Sequence, residues 1–177
     1  MNNRLGKHQV RPHSPRSIRQ RPQYKPQCPI GIDYGTHPFV VDISKSTLDN
    51  ENFRSVLWTG KNLQLTLMSI DAGKELGIEI HPGIDQFLFI EDGQALVVMG
   101  DDAHHMTFKQ PACDNFGIFV PAGTWHNIIN TGDKCLKLYS IYAPPNHPKG
   151  AVHKTKDVAE SLNRIRKSCR CNRSRHS

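Results

Sequence analysis

Short runs of hydrophobic residues alternate along the middle of the chain with groups of Gly, Pro, Asn and Asp. Such runs, rich in β-branched and aromatic side chains and bounded by turn residues, predict strands. We predict strands over residues 39–43, 53–59, 63–70, 76–80, 86–91, 95–99, 117–120, 125–129 and 136–142. Many short strands at this spacing favour an all-β sandwich or barrel.

The third predicted strand carries two interleaved sets of side chains, namely Leu63, Leu65 and Leu67, and Gln64, Thr66 and Met68. Because residues two apart on a strand share a face, this alternation predicts a strand with one buried face. The pair Asp92-Gly93 and residues 130–133 are turn sequences. We expect both of them to connect antiparallel neighbours.

Residues 155–167 are the one segment that predicts a helix. Thr155 is placed to cap it, and two acidic residues, Asp157 and Glu160, lie in its first turn. Its apolar side chains share one face, formed by Val158, Leu162 and Ile165. We expect this face to dock on the barrel.

The length of 177 residues suits one domain with a hydrophobic core. The longest apolar runs are too short to cross a bilayer, and residues 1–30 contain no segment like a signal peptide, so we expect a cytoplasmic protein without membrane insertion. Cysteines occur at five scattered positions, Cys28, Cys113, Cys135, Cys169 and Cys171. This pattern predicts reduced thiols, with packing favoured over a reactive role for the two central ones.

Charge divides the chain into three parts, which we take as the domain organisation. Residues 1–30 carry seven Lys and Arg and no acid among several prolines, which predicts a disordered basic tail. Residues 31–150 form the predicted barrel, and residues 151–177 a helix with a second basic tail. The tails are either solubilising spacers or attachments to a polyanion, and the near absence of aromatic residues in them gives no support for stacking on bases.

Two clusters of spaced residues carry the candidate chemistry. The first is Gly73, Glu79, His81, Gln86 and Gly93, and the second is Pro121, Gly123, His126 and Asn130. Both resemble the two sequence motifs of the cupin superfamily. This resemblance implies a double-stranded β-helix, or jelly-roll barrel, that often holds one metal ion in its mouth. Internal repeats are not evident, which favours a single barrel over the duplicated form of the superfamily.

The spacing of the first cluster favours a metal site. Glu79 and His81 are two residues apart, so on a strand they point to the same side. The resemblance implies that His126 meets them from across the barrel. Two histidines and one carboxylate suit a divalent ion such as Fe, Mn, Ni or Zn and leave positions open for a substrate.

The first cluster also departs from the superfamily pattern, which has His-x-His followed by Glu. Glu79 stands in place of the first histidine, and the spacing to Gly93 selects Gln86 as the equivalent of the glutamate. Asp85 is an alternative ligand, although strand alternation turns it away from the side that Gln86 uses. A neutral Gln86 beside an anionic Glu79 leaves a site with net positive charge, which favours a small polar or anionic substrate.

Simpler interpretations exist for single residues. His81 could be an ordinary loop histidine, and His104 and His105 are expected to be exposed. Trp125 is expected in the core because alternation opposes it to His126. His147 has no role that the sequence indicates.

Residues 37–155 are similar to small bacterial stand-alone cupins that are often labelled mannose-6-phosphate isomerase-like, a label that transfers the fold and not the activity. One hypothesis is a metal-dependent isomerase or oxygenase in which Glu79 or a metal-bound water moves a proton. The other is a non-catalytic module of a spore coat or similar matrix, held by its basic tails and cross-linked through Cys169 and Cys171. The resemblance also implies a homodimer, formed by sheet edges or by swapping of residues 39–43.

Overall fold

A computed structural model describes residues 31–161. Its elements are, in chain order, α1 (Ile43–Asp49), β1 (Arg54–Thr59), β2 (Gln64–Ile70), β3 (Asp85–Asp92), β4 (Gln94–Gly100), β5 (Phe108–Cys113), β6 (Gly117–Val120), β7 (Trp125–Asn130), β8 (Leu136–Ala143) and β9 (Val152–His153). Residues 156–161 are helical. Within residues 31–161, no helix has the length and apolar character that crossing a bilayer requires. The predictions for both basic tails, Cys28, Cys169 and Cys171 lie outside the described residues.

The strands form two antiparallel sheets, as predicted for a double-stranded β-helix. The larger has the order β6-β3-β8-β2-β1-β9 and the smaller the order β5-β4-β7. The two predicted turns do not connect neighbours within one sheet: Gly93 takes the chain from β3 in the large sheet to β4 in the small one, and residues 131–135 return it from β7 to β8. Gly93 has φ 116°, and a Cβ there would lie 3.1 Å from Leu136. Glycine is therefore required where the chain changes sheet.

The interior is apolar at one end and polar at the other. On the inner face of the large sheet, strands β3, β8 and β2 align buried side chains in rungs, one of Ile90, Leu138 and Met68 and one of Gln86, Tyr142 and Gln64. The two rungs are four residues apart, which corresponds to about 13 Å along a strand. Hydrophobic packing is thus concentrated away from the polar rung.

The inner face of β2 begins with two polar residues. Gln64 and Thr66 are fully buried, whereas Leu63 is 41% exposed on the outer side. Gln64 is tolerated inside because its amide donates to the Thr59 hydroxyl and the His147 carbonyl and its oxygen accepts from the His147 N–H. The outer face is also covered in part, since α1 packs over strands β2, β3 and β8. The predicted single buried face of this strand is therefore wrong, because both faces are covered.

Residues 39–43 were predicted as a strand, and this prediction is wrong. Asp42 caps α1 instead, with its carboxylate accepting from the Lys45 N–H at 3.0 Å, a geometry that starts a helix. Phe39 stacks on Tyr34 with ring centroids 4.3 Å apart. The segment proposed for strand swapping is therefore irregular and then helical, and the homodimer stays a prediction.

Two strands, β5 and β9, were not predicted from the sequence. Strand β5 is largely exposed, polar and interrupted by Pro111, which a sheet tolerates because β5 is an edge strand. Cys113, at the end of β5, was predicted to pack in the core. This prediction is wrong, because Cys113 is exposed. Strand β9 has only two residues. Both elements lack the apolar alternation from which strands are predicted.

The C-terminal helix begins near its predicted position. The Val158 N–H approaches the Thr155 hydroxyl at 3.4 Å, as expected for a cap. Ala159 is buried, whereas Val158 is 43% exposed, so within the described residues the docking face is rotated from the predicted one. Leu162 and Ile165 lie outside the described residues.

Asp33 joins three separate segments at the polar end. Its carboxylate accepts from the Gly35 and Thr59 N–H groups, the Thr59 hydroxyl and the Gly150 N–H, at 2.6–3.0 Å. Burial alone raises the pKa of Asp33, but these hydrogen bonds outweigh burial and lower the pKa. Asp33 thus fixes the start of the described chain to β1 and to the loop after β8.

Replacing Asp33 with alanine is expected to lower the free energy of unfolding by about 1–3 kcal/mol, since several donors lose their acceptor. Urea denaturation at neutral pH measures this loss. Asp101→Ala, at an exposed position, is the matched control and should leave the midpoint unchanged. Equal midpoints for the two variants would contradict a joining role for Asp33.

Candidate metal centre

Glu79, His81 and His126 lie together at the polar end of the barrel. One ligand atom from each residue lies within 4.8 Å of the others. The three come from the segment before β3 and from β7, which are distant in sequence and paired in space. The Glu79 N–H donates to the His126 carbonyl at 3.0 Å, and the His126 N–H donates to the Glu79 carbonyl at 2.9 Å. A backbone bridge therefore sets the separation of the carboxylate and the second histidine.

The segment that carries Glu79 runs beside β7 without forming the strand predicted over residues 76–80. Its ladder is interrupted at Gly77, which has φ 99° and donates its N–H to the side chain of Asn127 at 2.9 Å. Asn127 also donates to Glu75 at 2.8 Å. A side chain of β7 thus replaces the missing backbone partner, and pairing resumes at Glu79.

His126 is oriented for metal binding through Nε2. Its Nδ1 lies 3.0 Å from the Thr124 carbonyl, an acceptor, so Nδ1 carries the proton and Nε2 has a free lone pair. Nε2 is buried and lacks a hydrogen-bond partner among residues 31–161. Burial lowers the pKa of His126, which keeps the imidazole neutral, the form that binds metals.

Glu79 is held as a carboxylate by a buried arginine. Arg54 Nη2 donates to Glu79 Oε1 at 3.3 Å, and the Arg54 side chain is only 2% exposed. Burial by itself raises the pKa of Glu79, but the charge of Arg54, aided by His81 and His126, outweighs burial and lowers the pKa to about 2. The second oxygen, Oε2, is directed to the histidines and is 3.4 Å from His81 Nε2.

The donor set fits a divalent ion. Glu79 Oε2, His81 Nε2 and His126 Nε2 are all buried without a hydrogen-bond partner within the described part of the chain. Such atoms cost free energy unless something binds them. Metal–ligand distances for these donors are about 2.0–2.2 Å, so small side-chain rotations bring all three to one ion. The arrangement fits a metal ion.

Gln86 and Asp85 diverge as strand alternation predicts. Gln86 is buried on the inner face, donates to the Ser140 hydroxyl at 2.9 Å, and keeps its side-chain oxygen without a partner among the described residues. Asp85 is exposed and accepts from the Ala122 N–H at 2.9 Å. The structure therefore places Gln86 on the interior side and excludes Asp85 from it.

Two fully buried polar residues, Arg54 and Tyr142, and the partly buried His147 lie near the triad and were not predicted from the sequence. Arg54 is the first residue of β1, and neither its burial nor its partner was identifiable from the sequence. Tyr142 lies edge-on to His81 with ring centroids 5.7 Å apart. His147 packs against Tyr142 at 5.0 Å, and burial lowers the pKa of His147 to about 2. Together they extend the polar interior beyond the three candidate ligands.

The other aromatic and histidine predictions have mixed outcomes. His104 and His105 are exposed, as predicted. Trp125 is half-buried on the side opposite His126, so its expected place in the core is wrong. Phe87 lies on the face of β3 opposite Gln86 and contacts Phe119, with ring centroids 4.9 Å apart.

The fold is a double-stranded β-helix made of two facing antiparallel sheets. Two histidines and a carboxylate at its polar end form a possible metal site. Comparison with known proteins identifies the family. Residues 66–142 match the family described as "Cupin domain". The chain belongs to the cupin superfamily.

Similar proteins cover between 64% and 77% of the chain. The uncharacterized protein YrkC of Bacillus subtilis (strain 168) is 54% identical over 136 residues, which are 77% of this chain and 73% of YrkC. The uncharacterized protein L612 of Acanthamoeba polyphaga mimivirus is 40% identical over 64% of this chain and 70% of its own. The crystal structure of BH2720 from Bacillus halodurans is 53% identical, with a TM-score of 0.73, and the match covers 73% of this chain and 98% of BH2720.

Proposed function

We propose that the protein is a metal-dependent enzyme that binds one divalent ion through Glu79, His81 and His126 and acts on a small polar molecule in the barrel mouth. Gln86 is proposed as a fourth ligand through its side-chain oxygen. The observation that carries the proposal is the convergence of three buried ligand atoms, of which two belong to groups oriented by other contacts: Arg54 holds Glu79, and the Thr124 carbonyl holds His126. Partners of this kind are typical of metal ligands.

A bound ion would supply Lewis acid chemistry by polarising an oxygen of the substrate. The three ligand residues would hold the ion. Their burial would limit the access of water, since His126 is fully buried and the Glu79 side chain is 22% exposed. With a pKa of about 2, Glu79 is a weak proton acceptor at neutral pH, so we assign it the role of a ligand rather than that of a general base.

Two reaction types suit such a site, namely isomerisation and oxidation by dioxygen. Isomerisation of small hydroxy-carbonyl compounds is the first reaction to assay, because it needs only a metal ion that polarises an oxygen of the substrate. The alternative function, a coat or matrix module, depends on basic tails that lie outside the described residues. The metal centre therefore has priority as a proposal, and cytoplasmic location is proposed with it.

Metal content is the direct test of the proposal. Purified tag-free protein, reconstituted in turn with Fe, Mn, Ni and Zn and dialysed, is expected to retain about one ion per chain in inductively coupled plasma mass spectrometry. The double variant His81→Ala, His126→Ala should retain essentially none, because a single carboxylate holds a divalent ion weakly.

A matched control is available in the same barrel. The variant His104→Ala, His105→Ala also loses two histidines, but from an exposed loop, and should keep the metal content of the unaltered protein. Thermal denaturation shows whether each variant is folded. Retention of metal by the triad variant, or no retention of any ion by the unaltered protein, would rule the proposed site out.

A further inference from the structure

Arg54 has more donor capacity than its known partner uses. A guanidinium carries five N–H donors, and a hydrogen bond joins Nη2 to Glu79 Oε1 at 3.3 Å. Its Nε is buried and lacks a hydrogen-bond partner within residues 31–161. A buried arginine usually has its donors satisfied, because each unpaired buried donor costs free energy. The Nε–H of Arg54 is therefore available to an acceptor other than Glu79.

Tyr142 provides another polar atom at the same place. The residue is fully buried, and its hydroxyl makes no hydrogen bond of good geometry with the described residues, although Arg54, Thr66 and Ser140 lie near enough to influence its pKa. The Thr66 hydroxyl is in the same condition. Since the Tyr142 ring lies edge-on to His81 at 5.7 Å, these donors stand beside the candidate ligands.

With a divalent ion bound, the site would carry more positive than negative charge. A divalent ion and Arg54 are positive, and the imidazoles must be neutral to bind the ion. Among the described residues, Glu79 is the one carboxylate that forms an ion pair with Arg54 or with a histidine of the triad. Positive charge would exceed negative charge in a buried place, which is unfavourable unless an anion enters with the metal.

We propose that Arg54 and Tyr142 form an anion subsite next to the metal triad, and that the molecule bound there carries a carboxylate. A carboxylate has two oxygens for the two free donors, Arg54 Nε and the Tyr142 hydroxyl, and guanidinium groups match its planar shape. This inference rests on the proposed metal-dependent function, because the uncompensated charge arises only when the ion is bound. Neutral sugars are correspondingly poor ligands.

Arg54 also neutralises Glu79, so the test must separate these two roles. Arg54→Lys keeps a positive charge opposite Glu79 but lacks the Nε donor. Tyr142→Phe removes only the hydroxyl and keeps the ring against His81. Both variants are expected to load metal, and neither leaves Glu79 as an unpaired buried charge.

Isothermal titration calorimetry with malonate on zinc-loaded protein is the measurement, with zinc content determined before and after each titration. Malonate is expected to bind the loaded unaltered protein at least about tenfold more tightly than either loaded variant, because each lacks a charge-assisted or buried hydrogen bond. Glycerol, a neutral molecule with the same number of carbon atoms, should produce no binding heat. The zinc-free protein should bind malonate at least tenfold more weakly, since its Arg54 is already balanced by Glu79.

Failure of the subsite and failure of the metal site give different results. No zinc in the unaltered protein would contradict the metal centre and the subsite together. Full zinc with equal malonate affinity in the unaltered protein and both variants would overturn the subsite alone. Tighter binding of phosphate than of malonate would overturn the assignment to a carboxylate.

Discussion

Replacing Arg54 with leucine is expected to lower the free energy of unfolding by about 3–5 kcal/mol at neutral pH. Leucine removes the guanidinium but leaves the Glu79 carboxylate, whose side chain is 22% exposed, without its positive partner. A carboxylate that is largely removed from water is costly without a permanent positive partner, and the remaining neighbours, His81 and His126, carry a positive charge only when protonated. Urea denaturation followed by circular dichroism measures the loss.

The effect should depend on pH with a definite sign. In the unaltered protein the pKa of Glu79 is about 2, below the ordinary value of 4.5, so the folded state favours the carboxylate. The ion pair therefore stabilises the fold fully above about pH 4.5, and this contribution is lost as the pH falls toward 2. Without Arg54 the pKa of Glu79 rises, so the variant loses less stability over this range.

Lys45→Ala is the control for this experiment, because Lys45 and Asp49 form an ion pair on the exposed face of α1. Exposed pairs contribute little to stability, so its unfolding midpoint should match that of the unaltered protein at every pH. If Arg54→Leu followed the same pH profile as the unaltered protein, the ion pair would not be what lowers the pKa of Glu79.

A second large effect is expected at the apolar end of the barrel. Leu138 is fully buried on β8 between Ile90 and Met68. Leu138→Ala removes three carbon atoms and leaves a cavity, which should lower the free energy of unfolding by about 2–5 kcal/mol. The metal content should stay unchanged in the folded variant, because the cavity lies roughly 13 Å from the polar rung.

Phe119→Ala is the matched control, since this larger hydrophobic side chain is 74% exposed on β6. Its removal should change the unfolding midpoint little, as few contacts are lost. A comparable loss of stability in the two variants would mean that the outer face of β6 is buried in solution. Loss of metal from the folded Leu138→Ala protein would show that the two ends of the interior are coupled.

The sequence predicted the all-β fold because most of its strands are short apolar runs bounded by turn residues. It did not predict β5, where Lys109, Gln110 and Pro111 are exposed at a sheet edge and burial imposes no pattern. It placed a strand at residues 39–43 because the apolar residues there suit a strand equally well. The Asp42 carboxylate instead accepts from the Lys45 N–H and caps a helix that begins at Ile43.

The candidate ligands were predictable for a different reason. Glu79, His81 and His126 belong to motifs with fixed spacing, so their approach follows from a resemblance rather than from periodicity. Arg54 and Tyr142 belong to no such motif, and strand alternation alone does not tell which face of β1 or β8 is the inner one. The identity of the inner face depends on pairing between strands that are distant in sequence, such as β2 with β8.

The separation of the two rungs along the barrel axis has an evolutionary consequence. Side chains such as Ile90 and Met68 bear most of the selection for folding, while positions around Gln86 and Tyr142 are free to follow selection for a ligand. A lineage can therefore exchange residues at the mouth, apart from the ion pair of Arg54 and Glu79, and acquire a new specificity without first acquiring compensating mutations in the core. The same separation makes the mouth a suitable region for mutagenesis in a designed library, in which the apolar end of the barrel interior is kept unchanged.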